Sequence, residues 1–370
     1  MNVETMIYAY LAICLAMIVF NCACIFVFRH QGKTLKRHSD RMEEEIEGQI
    51  FLIQKGDPVS EEHLTYICKK LRKIRNLMAF DETMKDLIQK EPEAAWRYIE
   101  NIKPVFTWAA VDNHYKGSMQ LAYFAYVIAK YRILAGKATP LIVDIMMKLL
   151  EESSLYCREN ALQAIYSTGD YKYVLSAIKC VDESGRFHHG KLLTDGLLTF
   201  TGDHQQLAQV LWEHFETFSN SMQVVIIDYI RFSGTILNDE ILYLLVDGKR
   251  DDELRFACIR YFWKHTDERA YPILLAFLEH PGNQRWEYAS IAATALSSYP
   301  KERTILALKR AMNNSNWYIR FNASKTLESF HLTYQELGDV MDGRDRYARE
   351  ILQYQMEVQR AKEEQEVMEV

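Results

Sequence analysis

Asn314-Ser315-Asn316-Trp317-Tyr318-Ile319-Arg320-Phe321-Asn322-Ala323-Ser324-Lys325-Thr326-Leu327 is the stretch whose reading decides the fold. A polar turn opens it. Arg320 and Ala323 then stand seven and four positions before Leu327, and those offsets share one face of a helix. Working outward, the same arrangement recurs at Ile165, Leu198, Ile230, Phe262 and Leu296, at intervals of 33, 32, 32, 34 and 31 residues up to Leu327. Seven positions before these anchors stand Arg158, Lys191, Gln223, Arg255, Ala289 and Arg320; four before stand Ala161, Thr194, Ile226, Cys258, Ala292 and Ala323.

An apolar-faced run precedes each of these helices across a short polar turn: Ile142 to Leu150, Val174 to Val181, Leu207 to Phe218, Ile241 to Val246, Ile273 to Leu278 and Ile305 to Met312. A single pair of short helices cannot bury its apolar face, whereas stacked pairs make a continuous core. The repeating unit is therefore expected to be a helical hairpin.

The turn and second helix from Asn314 to Leu327 are similar to the HEAT-repeat pattern: a polar turn, an aliphatic-Arg pair, a small residue and a Leu. Leu155 to Ile165, with Arg158 and Ala161, repeats it, and Leu254 to Phe262, with Arg255, follows it more loosely. Lys191, Gln223 and Ala289 depart from it. The resemblance covers roughly half of the chain and implies an all-α, right-handed, armadillo-like α-solenoid of about six to seven HEAT-like hairpins. It also implies that Arg158, Arg255 and Arg320 are structural, tying neighbouring repeats. Such a fold serves many unrelated functions, so the resemblance implies architecture and not activity. Tetratricopeptide and ankyrin marks do not recur, and 7 Pro and 15 Gly in 370 residues argue against strands and turns.

The composition is that of an ordered protein: 49% hydrophobic, 25% charged, 12% aromatic. A net charge of -6 offers no general attraction to nucleic acid. Seven cysteines, an odd number, do not form a disulfide framework. Cys22 and Cys24 fall in the N-terminal apolar run, with acylation as the alternative to plain small residues there.

After a short tail over residues 1–5, Met6 to Phe28 is an uncharged run of 23 residues, about 34 Å long as a helix. Eleven of them are Leu, Ile, Val or Phe, which sums to roughly -3 to -7 kcal/mol on an insertion scale. A transmembrane helix over residues 6–28 is therefore expected. A cleaved signal peptide is the alternative, but it calls for a basic leader, and Glu4 stands there instead. Arg29, Lys33, Lys36 and Arg37 follow the run and no cation precedes it, so a single-pass protein with cytoplasmic repeats is expected. The inverted topology, repeats outside the cell, is the competing reading. Asn313-Asn314-Ser315 and Asn322-Ala323-Ser324 match the glycosylation triplet, which is common by chance.

Residues 29–57 read as a charged connector, helical through Met42, Ile46, Ile50 and Ile53 and broken by Gly56-Asp57-Pro58. Residues 58–140 read as a helical cap and divergent entry repeat, with runs Ala94 to Ala110 and Met119 to Ile133. In its first helix Ser60 is the N-cap, and Leu64, Ile67, Leu71, Ile74 and Met78 line one side. Lys69, Lys70, Arg72, Lys73 and Arg75 form a basic patch. That patch reads either as a solvated face or as a contact for anionic lipid, worth about 1 kcal/mol per charge at a membrane surface. Residues 141–330 are the repeats, and residues 331–370 are capping helices with an acidic tail of Glu363, Glu364, Glu366 and Glu369.

No phosphate-binding glycine loop, His-Glu-x-x-His, Gly-x-Ser-x-Gly or Cys-x-x-Cys is present, so no catalytic residue, cofactor or metal is expected. His188-His189 lacks companions at metal-ligand spacing and reads as an exposed turn. In the HEAT family the second helices line the concave side. Asp228, Tyr229, Arg231, Arg260, Tyr261 and Trp263 are the densest group there and are expected to form a partner-binding groove, since aromatic and Arg side chains dominate binding hot spots. The alternative for the aromatics is filling between hairpins. The expected function is a membrane-anchored scaffold or adaptor for a protein partner, such as a membrane-associated enzyme of envelope or polysaccharide synthesis. A HEAT-like lyase or small-ligand binder, using Asp228, Glu287 and scattered Tyr, is the alternative.

Overall fold

The computed structural model describes residues 3–113, 118–136, 139–152, 154–280 and 285–368. The tail side chains Glu363, Glu364, Glu366 and Glu369, and those of Met6 and Phe28, lie outside what is described. Among the described residues every regular element is helical and no strand occurs. The chain divides into two compact units, Met1–Arg186 with Thr199–Gly202, and Phe187–Leu198 with Asp203–Val370.

The first unit begins with α1 (Val3–Gln54), one unbroken helix of 52 residues. Its second half buries Ser39, Met42, Ile46 and Ile50, the three- and four-residue spacing expected of a single helical face. It stops at Gly56, whose φ of +90° is a left-handed conformation that ends helices. The Ser60 hydroxyl then accepts the His63 N–H at 3.2 Å and starts α2 (Glu61–Leu71).

Two expectations are corrected in this unit. Among the described residues no helix is long and apolar enough to cross a membrane, so the transmembrane segment at Met6–Phe28 and the single-pass placement with cytoplasmic repeats do not stand. The helix then continues directly through Arg29, Lys33, Lys36 and Arg37 into a half packed on protein.

The second correction concerns the helix expected from Leu64 through Met78. It breaks at Arg72 and Lys73, where Lys73 is extended (φ -123°, ψ 130°) and α3 (Ile74–Lys90) begins. The break serves packing. It lets α2 lie on α4 (Pro92–Asn113) while α3 packs on α1, α4 and α5 (Ser118–Lys130), burying Leu77, Phe80, Met84 and Leu87. Then α6 (Pro140–Leu149) pairs with α7 (Leu155–Tyr166), α7 lies along α5, and α8 (Tyr171–Glu183) closes on α6 and α7.

In the second unit α9 (Gly190–Leu197) is followed by α10 (His204–Glu213), a short turn at Phe215–Thr217, and α11 (Asn220–Ser233). Three hairpins follow: α12 (Asn238–Val246) with α13 (Asp252–Lys264), α14 (Tyr271–Glu279) with α15 (Trp286–Ala295), and α16 (Glu302–Ala311) with α17 (Trp317–Glu328). A last pair is α18 (Tyr334–Met341) and α19 (Arg346–Met368). The helices α9, α11, α13, α15, α17 and α19 pack each on the next, an all-helical arrangement compatible with a helical repeat.

The opening stretch shows why the pattern folds this way. Asn316 accepts the Tyr318 N–H at 2.8 Å to cap α17, and Ile319, Ala323 and Leu327 are buried along one face. Burying each large apolar side chain contributes about 1.5–3 kcal/mol. The register slips by one in α9: Leu197 is fully buried, Leu198 only partly, and Lys191 is exposed. A close approach to α11 is allowed there because Gly190 has no side chain; a Cβ would stand 3.3 Å from Val225.

Candidate functional site

The Arg positions have a local task. Arg158 Nη1 donates to the Glu152 carbonyl at 2.9 Å, and Arg320 Nη1 to the Asn314 carbonyl at 3.0 Å, each six residues back in the turn of its own hairpin. Arg255 Nε donates to the Leu245 carbonyl at 3.2 Å and its Nη1 to Tyr288 Oη at 3.0 Å on the following second helix. Arg255 thereby also reaches the next hairpin. Arg349 repeats the arrangement in the last pair, donating to Gly343 O. Gln223 does so without a charge, through Nε2 to Phe215 O at 3.1 Å and Phe218 O at 3.2 Å. These side chains satisfy carbonyls that the end of a helix leaves open.

Neighbouring second helices are also tied by a residue two positions on. Asn160 Nδ2 donates to Ala122 O at 3.0 Å, and Asn322 Nδ2 to Ser290 O at 3.1 Å and Ser290 Oγ at 2.8 Å. The signal for this was in plain view as Arg158-Glu159-Asn160-Ala161 and Arg320-Phe321-Asn322-Ala323. It also commits Asn322, one of the two glycosylation triplets, to an internal bond.

The six residues expected to form a groove separate into two groups. Asp228, Arg231 and Arg260 come together: Arg231 Nη2 lies 3.3 Å from Asp228 Oδ1, and Arg260 Nη2 3.5 Å from Asp228 Oδ2. The Arg231 guanidinium rests 4.3 Å from the centre of the Phe232 ring, and Lys264 Nζ 5.1 Å from the same ring. Burial lowers the Arg231 pKa, Asp228 opposes this and Arg260 adds to it, and a guanidinium stays charged throughout. Two cations on one carboxylate leave this cluster net positive. Trp263, 46% exposed, donates its indole N–H to Ser297 Oγ at 2.9 Å.

Tyr229 and Tyr261 are not on that surface, for both are fully buried. Tyr229 Oη meets His204 Nδ1 at 2.9 Å, while Tyr261 Oη accepts the Leu237 N–H and donates to Asn238 Oδ1, both at 2.9 Å. Each braces the start of the first helix in its own hairpin. Burial, the leading cause in both, raises the two phenol pKa values.

Phe232, 47% exposed, was missed by the sequence reading although it follows Arg231 directly. It lines, with Lys191, Asp195, Val224, Asp228 and Arg231, an open cavity of about 950 Å³.

The remaining expected sites stay apart from this one. Lys69, Arg72, Lys73 and Arg75 are exposed on α2, α3 and the break between them. Lys70 Nζ lies 5.0 Å from the Tyr66 ring centre, and Arg75 lines a cavity of about 760 Å³ with His30 and His38. His189 Nδ1 accepts the Lys191 N–H at 3.2 Å and so caps α9. Among the described residues no group of three or more His, Cys, Asp or Glu is placed to hold a metal. All seven cysteines are free, and burial pushes the Cys258 thiol up to about 12, which makes it unreactive.

These features define a class, an all-helical protein of stacked helices with an ion-paired, aromatic-flanked surface on two adjacent second helices. No protein-family model matches the chain, and comparison with curated proteins finds no match.

Proposed function

We propose that this chain is a HEAT-like helical-repeat scaffold that docks a protein partner on the second helices α11 and α13. The observation that carries the reading is the Asp228–Arg231–Arg260 ion cluster, with Phe232 against Arg231 and Trp263 three residues on from Arg260, both aromatics about half exposed, and with Asp228, Arg231 and Phe232 lining an open cavity of about 950 Å³. Exposed aromatics beside pre-positioned arginines are the side chains that carry most binding energy at protein interfaces. The carboxylates nearest to an acid–base role are already engaged, Asp228 by two arginines and Glu287 by Arg285 at 2.8 Å, which favours binding over catalysis.

The test is site-specific photo-crosslinking of the full chain in extracts of its source. A crosslinker at Phe232 or Trp263 is expected to trap one and the same partner, one at Tyr243 is not, and Phe232→Ala with Trp263→Ala is expected to weaken capture at least tenfold with little change in melting temperature. Equal trapping from all three positions, or none from any, sinks the proposal. Tyr261→Phe is the matched control: it costs about 1–2 kcal/mol of stability through the lost helix-start bonds and leaves partner capture intact.

A further inference from the structure

The first unit holds a small polar cleft of about 280 Å³ whose walls come from α5, the turn after it, α7 and residues 199–202. Lys130 and Arg132 are its cations. Tyr126, Asn160, Gln163, Ser167, Thr199 and Thr201 supply the rest of its polar lining.

The backbone at Arg132 is unusual. α5 closes with Ile133 N–H to Ile128 O at 3.0 Å and Arg132 N–H to Ala129 O at 3.1 Å, a helix end whose left-handed position is normally filled by glycine. Here that position is Arg132, at φ +48°. The other non-glycine residue with positive φ among those described is His331, and histidine tolerates this region far better than a long basic side chain. A strained residue is retained where the surroundings over-determine it, commonly at a binding site.

The polar groups sort by what they have left to offer. Among the described residues no hydrogen bond or ion pair holds the Arg132 guanidinium, and its five N–H donors face no competitor. Lys130 Nζ is fixed by Asp81 Oδ1 at 2.6 Å, which steadies it and offsets part of its charge. The Ser167, Thr199 and Thr201 hydroxyls donate to Ala164 O at 2.7 Å, Gln163 Oε1 at 3.0 Å and Ser167 O at 3.2 Å. The Ser167 and Thr201 lone pairs are what remains for a ligand.

We propose that this cleft binds a small hydroxylated phosphate monoester, such as a sugar phosphate. Arg132 and Lys130 take the phosphate oxygens, and the Ser167 and Thr201 hydroxyls accept hydrogen bonds from the ligand's own hydroxyl groups. Cations without acceptors would suit any oxyanion; acceptors beside cations select one that also donates.

The experiment is thermal unfolding and calorimetric titration of the full chain with glucose 6-phosphate, inorganic phosphate and glucose. The ester is expected to raise the melting temperature and to bind about tenfold or more tightly than either half alone. Arg132→Gly is expected to melt at or above the wild-type temperature without ligand, since glycine adopts this backbone freely, while losing tenfold or more in affinity for the ester. Arg132→Gln, of similar length without the charge, must show the same loss. No stabilisation by the ester, equal binding of inorganic phosphate or glucose, or either variant binding within about threefold of wild type would overturn the assignment.

Discussion

The α1–α5 bundle and the α10–α19 array both bury polar groups, but they bind them differently. In the array, a side chain from the second helix reaches a main-chain carbonyl in the turn of its own hairpin, as Arg320 does at Asn314 and Gln223 at Phe215 and Phe218. In the bundle, buried side chains far apart in sequence pair with each other, Ser39 Oγ with Thr83 Oγ1 at 2.9 Å, His63 Nε2 with Tyr98 Oη at 2.8 Å, and Asp81 Oδ1 with Tyr131 Oη at 2.7 Å, and Thr83 Oγ1 donates to Ser39 O at 3.1 Å as well. The array asks one position for a donor of sufficient reach and accepts Arg or Gln. The bundle asks two distant positions for each other. A carbonyl cannot be removed by substitution, whereas both members of a side-chain pair can, and that asymmetry makes the comparison testable.

The largest effect is expected at Gln223. Replacing it with Leu removes both bonds and leaves the Phe218 carbonyl buried without that donor, while Phe215 O keeps the Phe218 N–H at 3.2 Å; the change should cost about 2–4 kcal/mol in chemical denaturation, and Gln223→Arg, which restores a long donor, should recover most of that loss. If Arg fails to recover it, the position is not generic and the comparison breaks on the array side.

In the bundle, burial holds His63 at a pKa of about 4, below its ordinary 6.5. The folded state therefore stays unprotonated between those values while the unfolded chain takes up a proton, so the stability present above pH 6.5 declines as pH falls toward 4. Allowing for partial solvent screening, the decline attributable to His63 is about 1–3 kcal/mol, and His63→Gln should flatten it. An imidazole titrating near 6.5 by NMR would remove the buried-pair account.

The smallest effect is the sharpest. Thr83→Val alone should cost about 1–2 kcal/mol because it leaves the Ser39 hydroxyl buried without its partner, yet Ser39→Ala with Thr83→Val should cost less than that single change. A double variant as damaging as the two singles summed would place this pair with the array bonds.

The same contrast explains what was legible in the sequence. The stripe at Ala161, Ile165, Ile226, Ile230, Ala323 and Leu327 is buried as its spacing required, because period and burial on a helix are one constraint. The Arg-x-Asn-Ala element was equally readable at two of the repeats. The α9 register was not, since a short helix with glycine at its first position and Lys191 at the repeat position leaves the period underdetermined. The break at Arg72–Lys73 was hidden by continuous apolar spacing from Leu64 to Met78, and only the demands of α1, α4 and α5 on α3 revealed it. At the candidate surface, sequence reasoning found Asp228, Arg231, Arg260 and Trp263 on the right helices but set Tyr229 and Tyr261 beside them. One step of 100° around a helix separates an exposed position from a buried one.

The amino-acid sequence by itself determined that this protein is helical, where its hairpins turn and which residues face inward, because these follow from local spacing, capping and the cost of leaving apolar faces wet. Tertiary structure alone decided which polar side chains meet. It joined Arg260 to Asp228 across two helices, sank Tyr261 onto the start of α12, and set Arg132 in a left-handed turn beside Lys130. It also overruled the membrane span expected from 23 uncharged residues, by running the apolar half of α1 straight into a charged, protein-packed half. Hydrophobic periodicity is a property of neighbours in the chain, while hydrogen-bond partnership depends on distances that only packing sets.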